Sequence, residues 1–386
     1  MFQSPKPRVH ETDCAEPFKR GKAYGQRHGR EVAEYLKRWL ASLDPPDGDV
    51  TGYARTLTRA TGHLDTVSRL YPHMLEELKG LSSGADIAFD LIFAFQLMDE
   101  EWNFARRAGN GSVKGDTAGR CSVFGIGPKH LGHAILAQNM DIGSWSAGGQ
   151  TLLHHAHPGG LDRFVLTFPG YLGLCGMNGA GLAVTCNALM DLPYDDAGVP
   201  VSCIVRRIME AGSPEEALHT LQKTTHASGQ CYTLATGQSL VSVEASGART
   251  EVWPGTMARK QLCLHTNHPL WFGHYETTAT APASPSTYAR LAAVRKYAGE
   301  GFSDRASALD LIGRALSSRD DPDQPVSREL TAEDSGDSQI NYTFASIVFD
   351  LGDPARVFVS NGPPSRMRYR PAAELKSGGR FQPVAE

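Results

Sequence analysis

The hydrophobic pattern of this chain changes character at residue 121, and that change limits the folds open to it. Before it, apolar residues recur at helical spacing. In PFKRGKAYGQRHGREVAEYLKRWLASL, Val32, Tyr35, Leu36, Trp39 and Leu40 share one face. PPDGD then breaks the chain. Helical patterns resume over 51–70 and 72–80, and ADIAFDLIFAFQLMDEEWNFARRA reads as one buried helix. Residues 108–120 form a polar, glycine-containing linker. Beyond it, short apolar runs bounded by Gly and Pro read as strands: CSVFGIG and HAILAQNM, joined by a turn at PKHLG, then DRFVLTF, YLGLCGM and GLAVTCNAL. Two helices follow, PVSCIVRRIMEAG and SPEEALHTLQKT, the second opened by a Ser-Pro pair suited to an N-cap. Strands return in QCYTLATG, SLVSVEAS, RTEVWP and QLCLHTN. STYARLAAVRKYAG and DRASALDLIGRAL are helices, and ASIVFDLG and ARVFVSN form a last strand pair. Blocks of strands and helices in this order suit a layered α+β architecture, not alternating βαβ units. The boundary falls at 120/121, dividing a helical segment (1–120) from a strand-rich region (121–386).

Composition closes off several classes of function. Hydrophobic residues make up 41% and charged residues 21% of 386, enough for a packed core. A net charge of −4 without a basic run gives no footprint for nucleic acid. No apolar segment approaches the roughly 20 residues of a membrane span. The opening MFQSPKPRVHETDCAEP lacks a secretory signal's apolar stretch, so the expected location is the cytoplasm. Seven cysteines lie scattered with no CxxC pair, which offers neither a disulfide framework nor a cysteine zinc site. Cys175, Cys186, Cys203, Cys231 and Cys263 sit in apolar runs and read as core.

Cys121 is different, because it opens a strand directly after the polar linker. A thiol is nucleophilic only when deprotonated, and the nearest base available to a cysteine is its own α-amine, with a reference pKa of about 7.7–8.0. Using it requires the Arg120–Cys121 bond to break, so that Cys121 becomes a chain terminus. Acyl chemistry also needs an oxyanion hole and groups that hold the new ammonium. Polar residues that interrupt apolar strands are the candidates. Asp141 ends AQNMD and can face the ammonium, while Asn187 (in GLAVTCN) and Asn267 (in LCLHTN) carry amides able to donate to an oxyanion. Arg290, on STYARLAAVRKY, can bind a carboxylate or brace the site. Each also has an ordinary reading: Asp141 as a turn former, the asparagines as partners for strand-end backbone groups, Arg290 as a surface helix residue.

Residues 118–141, AGRCSVFGIGPKHLGHAILAQNMD, resemble the cleavage region of the isopenicillin N acyltransferase family of N-terminal nucleophile hydrolases, which includes the β-alanyl-dopamine hydrolases. Further elements recur in the family's order: GKAYGQRHG and LEELKGLSSGADI before the cysteine, then GMNGAGLAVTCNAL, HTNHPL, STYAR and TFASIVFDLGDPARVFVSNGPP. The resemblance implies a four-layer αββα sandwich, a precursor that cuts itself before Cys121, and association of the two fragments. By position it makes Cys121 the nucleophile, Asp141 the motif aspartate and Asn267 the oxyanion asparagine. Asn187 and Arg290 follow by analogy with the related bile-salt hydrolases. Two departures stand out. Ser122 is followed by Val123 where family members often carry a second hydroxyl, and Gln138 replaces the arginine that bile-salt hydrolases place three residues before the aspartate. The second departure argues against bile salts.

The reaction expected is cleavage of a small N-acyl amide, such as a β-alanyl conjugate, through a thioester and without metal or organic cofactor. The partner is a small-molecule amide or thioester, and a homo-oligomer is compatible with the sequence. Acyl transfer from a donor such as acyl-coenzyme A to an amine is the alternative. A metallohydrolase is a more distant one, raised by His154, His155 and His157 in LLHHAHP and by His265 and His268 in HTNHP. A non-enzymatic binding protein on the same fold is a third class, which retention of Cys121 and Asn267 speaks against.

Overall fold

A computed structural model of the chain describes residues 8–107, 121–253, 262–272, 286–331, 334, 337–338 and 340–384. The polar linker 108–120, with Arg120, lies outside the described residues. Two sheets face each other. The first has the order β1 (Arg8–Thr12), β4 (Thr151–His155), β5 (Arg163–Thr167), β6 (Cys175–Asn178), β7 (Ala183–Ala188), β8 (Gln230–Thr236), β9 (Ser239–Ala245), β10 (Thr250–Val252). The second runs β11 (Leu262–His265), β2 (Ser122–Ile126), β3 (Ile135–Gly143), β12 (Asn341–Asp350), β13 (Arg356–Ser360), β14 (Arg370–Lys376), β15 (Arg380–Pro383). Their pairings are antiparallel except that of β1 with β4.

Alternation of side chains across the pleat builds three apolar layers at once. Val123 and Leu136 on the second sheet meet Leu152, Phe164 and Met177 on the first. Their sequence neighbours Phe124, Ile135 and Ala137 point the other way, onto α10 (Thr287–Glu300) and α11 (Arg305–Leu316) through Val294, Leu311 and Ile312. Across the first sheet, Leu153, Val165 and Val184 pack under α8 (Val201–Ile208) and the N-terminal helices, meeting Val205, Val32 and Phe93. The order is helix, sheet, sheet, helix, as expected. Strands covered on both faces carry near-continuous apolar runs, which made them conspicuous in the sequence.

The N-terminal helices are α1 (Pro17–Ser42), α2 (Val50–Ala60), α3 (His63–Leu70), α4 (Pro72–Ala85), α5 (Phe89–Ala94) and α6 (Met98–Arg107). The buried helix expected over 85–108 is thus broken: a 3₁₀ turn, Phe95–Leu97, joins α5 to α6. Gln96 holds this turn, donating to Ile92 O and Gly170 O and accepting from Leu172 N. The glycines of GKAYGQRHG and KGLSSG serve close helix packing. A Cβ on Gly21 would lie 1.9 Å from Glu77 O, and one on Gly80 would lie 2.1 Å from Phe18 O. This contact of α1 with α4 lies along the N-terminal half of α1, opposite the end that carries Trp39. The turn at PKHLG is a short helix, α7 (Pro128–Leu131), closed by Gly132 at φ 76°. Strands β1, β4, β14 and β15 were not among those read from the sequence. Helix α9 (Pro214–Lys223) begins as expected, with Ser213 accepting from Glu216 N. No described helix is long and apolar enough to cross a membrane.

Candidate active site

Cys121 immediately precedes β2, where the Ser122↔Asn139 pairing sets it beside Met140 on β3, Sγ to Sδ 3.6 Å. It is buried against solvent yet lines a cavity of about 200 Å³ that opens between the facing sheets and the N-terminal helices. Asp141, one residue further along β3 and 3% exposed, lines the same cavity. Burial pushes the Cys121 thiol up to about 12, and the Asp141 carboxylate adds to this; a backbone hydrogen bond from Asp141 and the Arg290 charge act against it. At neutral pH this thiol needs a base to become a nucleophile.

Arg290 organises the surroundings from the first turn of α10, fully buried. Its Nη1 donates to Cys121 O at 2.7 Å and to Ser122 Oγ at 3.0 Å, and its Nη2 donates to Asn267 Oδ1 at 2.9 Å. Nε donates to Ser286 Oγ at 3.0 Å. Burial lowers its pKa to about 10, with Asp141 and Cys121 pulling upward, so it stays cationic at neutral pH. One planar fork therefore ties the backbone of the nucleophile to the side chain of Asn267.

With Oδ1 held by Arg290, the Asn267 amide nitrogen faces the sheet, donating to Ala188 O at 3.0 Å, and its backbone N–H donates to Thr287 Oγ1 at 2.8 Å. Asn187, on β7, is set in the same way: its Oδ1 accepts from Gln138 Nε2 at 3.1 Å, and its Nδ2 donates to Thr266 O at 3.0 Å. An NH₂ group has two hydrogens, so the single bond of Asn267 Nδ2 leaves a second N–H for an oxyanion, whereas Asn187 Nδ2 also donates to His265 O at 3.5 Å. Gln138, noted from the sequence only as a departure, orients Asn187. The structure thus gathers Cys121, Asp141, Asn267 and Arg290 directly and reaches Asn187 through Thr266.

The histidines of LLHHAHP and HTNHP do not converge. β4 ends at His155, so His157 is not on the strand. Thr12 Oγ1 engages His155 Nδ1 at 2.7 Å, Glu244 holds His265 at 2.9 Å, and Thr287 bonds His268 at 2.8 Å. Among the described residues, the cluster with metal-ligand proximity is instead His10, His28 and Glu31 on β1 and α1. Those rings stack in parallel 3.6 Å apart, and Glu31 is engaged by Arg8 at 2.8 Å. The five cysteines assigned to the core are buried, with Cys186 also on the cavity wall.

What the sequence reading missed is the contribution of the N-terminal helices to this cavity. Asp99, Glu101 and Trp102 from α6, Trp39 from α1 and Gln230 from β8 line it with Cys121. The signal was present in MDEEW, an acidic run closing an apolar helix.

The family model of acyl-coenzyme A:6-aminopenicillanic acid acyl-transferase matches residues 129–354, a span that includes Asp141, Asn187, Asn267 and Arg290 and begins after Cys121. Penicillin V acylase from Agrobacterium tumefaciens is similar at 16% identity over 64% of this chain and 76% of that one, with a TM-score of 0.36. Two variants of conjugated bile acid hydrolase from Clostridium perfringens are similar at 12% identity over 69% of this chain and 97% of theirs, with TM-scores of 0.41 and 0.42. No curated protein sequence matches the chain. With more than half its length matched by that family, the chain belongs to the acyl-coenzyme A:6-aminopenicillanic acid acyl-transferase family of enzymes.

Proposed function

We propose that this protein is a self-processing amide hydrolase whose nucleophile is the Cys121 thiol, and that processing divides it into 1–120 and 121–386. The observation that carries this reading is the Arg290 fork, which joins the Cys121 backbone to the Asn267 side chain, while Cys121 itself lines a cavity shared with Asp141. In processing, the thiol adds to the Arg120 carbonyl. The new C–S bond replaces the C–N bond, the α-nitrogen takes the proton, and water hydrolyses the thioester to free the thiol and an Arg120 carboxylate.

In turnover the α-amine accepts the thiol proton as sulfur attacks the substrate carbonyl. The oxyanion accepts an N–H bond from Asn267, oriented by Arg290, and one from Asn187, oriented by Gln138, when Asn187 gives up its longer 3.5 Å bond to His265 O. Collapse expels an amine that takes the proton back, and water, deprotonated by the α-amine, releases the acid. Asp141 stabilises the ammonium form of the terminus. The high thiol pKa agrees with a mechanism that supplies a base on the same residue.

Transfer to an amine is the second reading, favoured by the family's name. Hydrolysis is preferred because, among the described residues lining the cavity, none is Lys, Arg or His. A phosphate-bearing acyl carrier meets carboxylates there instead of cations.

Intact-mass spectrometry tests processing: wild type should give fragments 1–120 and 121–386, and Cys121→Ala should stay one inactive chain. Full activity in an uncut wild-type chain would refute the proposal. Product analysis with and without amine acceptors separates hydrolysis from transfer.

A further inference from the structure

A second cavity lies apart from the Cys121 site, between β4 and the N-terminal helices. It holds about 30 Å³ and is lined by Thr12 and His155 at the paired ends of β1 and β4, by Arg20 and Tyr24 on α1, by Glu77 on α4 and by Arg206 on α8. Buried charges are ordinarily matched, and here they are not. Glu77 is shared by two guanidinium groups: Arg20 Nη2 donates to its Oε2 at 2.6 Å, and Arg206 Nη2 donates to Oε1 at 3.1 Å and to Oε2 at 3.0 Å. Arg163, opposite His155 on β5, reaches Glu210 at 3.5 Å, a carboxylate that His73 also engages at 3.1 Å. Three buried arginines thus face two carboxylates, leaving one positive charge in excess. Burial would raise the Glu77 carboxyl, yet Arg206 and Arg20 hold it well below the usual carboxylate range. Burial and the Arg206 charge lower Arg163 to about 10, so it remains a cation at neutral pH.

Two donors on the wall are left over. Arg206 is 1% exposed and His155 3%, and among the described residues neither Arg206 Nε nor His155 Nε2 has a hydrogen-bond partner. Arg206 Nη1 donates to Leu172 O at 3.2 Å and Nη2 serves Glu77, so Nε is the nitrogen without an acceptor. Thr12 Oγ1, 2.7 Å from His155 Nδ1, can donate its hydroxyl proton there, which places the ring's own hydrogen on Nε2. The ring itself is neutral, because burial and then the Arg206 charge hold it well below its ordinary value. Glu77 lines the cavity too, but guanidinium N–H groups occupy both of its oxygens. A buried donor without an acceptor costs free energy, and an unmatched buried charge costs more. Water can accept the two N–H groups but leaves the excess charge in place. An anion answers both. Space sets its size, since about 30 Å³ takes a single halide-sized ion and not a tetrahedral oxyanion.

We infer that this cavity binds one small monovalent anion, chloride in ordinary solution, which accepts N–H bonds from Arg206 Nε and His155 Nε2 in the positive field of Arg20, Arg206 and Arg163. The ion ties β4 to α8 and, through the Glu77 pairs, to α1 and α4. It is a structural ion seated behind the catalytic cavity, for Tyr171 lines both spaces and Leu172 O is held by Arg206. The site stands independently of the amide-hydrolase reading.

The test compares thermal melts of the purified protein in sodium chloride and sodium gluconate at one fixed ionic strength. For a site half-filled near about 5 mM, raising chloride from about 5 to about 200 mM, with gluconate making up the balance, should lift Tm by about 2 °C. His155→Leu removes one of the two donors and should lose most of that shift, which separates the site from general salt effects. A crystal grown in bromide should show an anomalous peak between Arg206 Nε and His155 Nε2. Equal melts in chloride and gluconate overturn the inference, as does a chloride response undiminished in His155→Leu. Should that variant fail to fold, the bromide crystal of the unaltered protein decides. A cavity that holds water alone in bromide overturns the site in any case.

Discussion

The carboxyl at Glu101 makes stability depend on pH in a direction opposite to that of a salt-bridged acid. Burial raises its pKa from 4.5 to about 7, against the hydrogen bond from Tyr53. Its folded value lies above its unfolded value, so the native state holds a proton that the unfolded state has released over that interval. The resulting stability is fully present below the unfolded value and is lost as pH rises through about 7. The interval corresponds to about 3 kcal/mol, at about 1.4 kcal/mol for each pH unit. Glu100, raised to about 8 by burial and by Asp99, acts in the same sense. Buried histidines act oppositely: His10, His226 and His268 are lowered to about 4, so their stability is present above their unfolded value and is lost as pH falls. A simple pH scan mixes the two. The informative quantity is the difference in unfolding free energy between wild type and Glu101→Gln, where the histidine contributions cancel. Denaturant melts at several values from about pH 4.5 to about 8.5 should show wild type losing about 3 kcal/mol relative to the variant. A difference that stays flat with pH would refute the claim that Glu101 is held protonated in the cavity.

Other outcomes follow from the site and its supports. Asn267→Ala should lower kcat by about 10²–10³ with the fold intact, because it removes an oxyanion donor; unchanged kcat in a processed variant removes it from the mechanism. Arg290→Gln takes the fork from Cys121 O, Ser122 Oγ and Asn267 Oδ1, so a loss of about 3–5 kcal/mol in denaturant melts is expected. Arg290→Lys should spare more stability but lower kcat with little change in KM, since the charge stays and the fork's geometry goes. Gly80→Ala sets a Cβ against the Phe18 carbonyl and should cost about 3 kcal/mol in thermal or denaturant melts, because the clash is with backbone.

The sandwich of two covered sheets was written in the strands themselves. Runs such as CSVFGI and NYTFASIVFD are buried along their whole length, and only a strand covered on both faces demands that. Helix α1 was equally plain, since its apolar residues form a single stripe at helical spacing. Cys121 was legible because a strand-opening cysteine after a polar linker is chemically distinctive. Other elements gave little local signal. β1 carries RVHET, mostly exposed, and becomes a strand because β4 offers it an edge. The break between α5 and α6 is made by Gln96 bonding to Gly170 and Leu172, partners more than 70 residues away. Asn187 and Asn267 looked alike in sequence, each a polar end to an apolar run. Their roles differ through which residue holds each carbonyl, Gln138 for one and Arg290 for the other. The charge of the cavity was the least accessible. Asp99 and Gln230 lie 131 residues apart, and only the fold brings an acid at the start of α6 and an amide at the start of β8 together on one cavity wall.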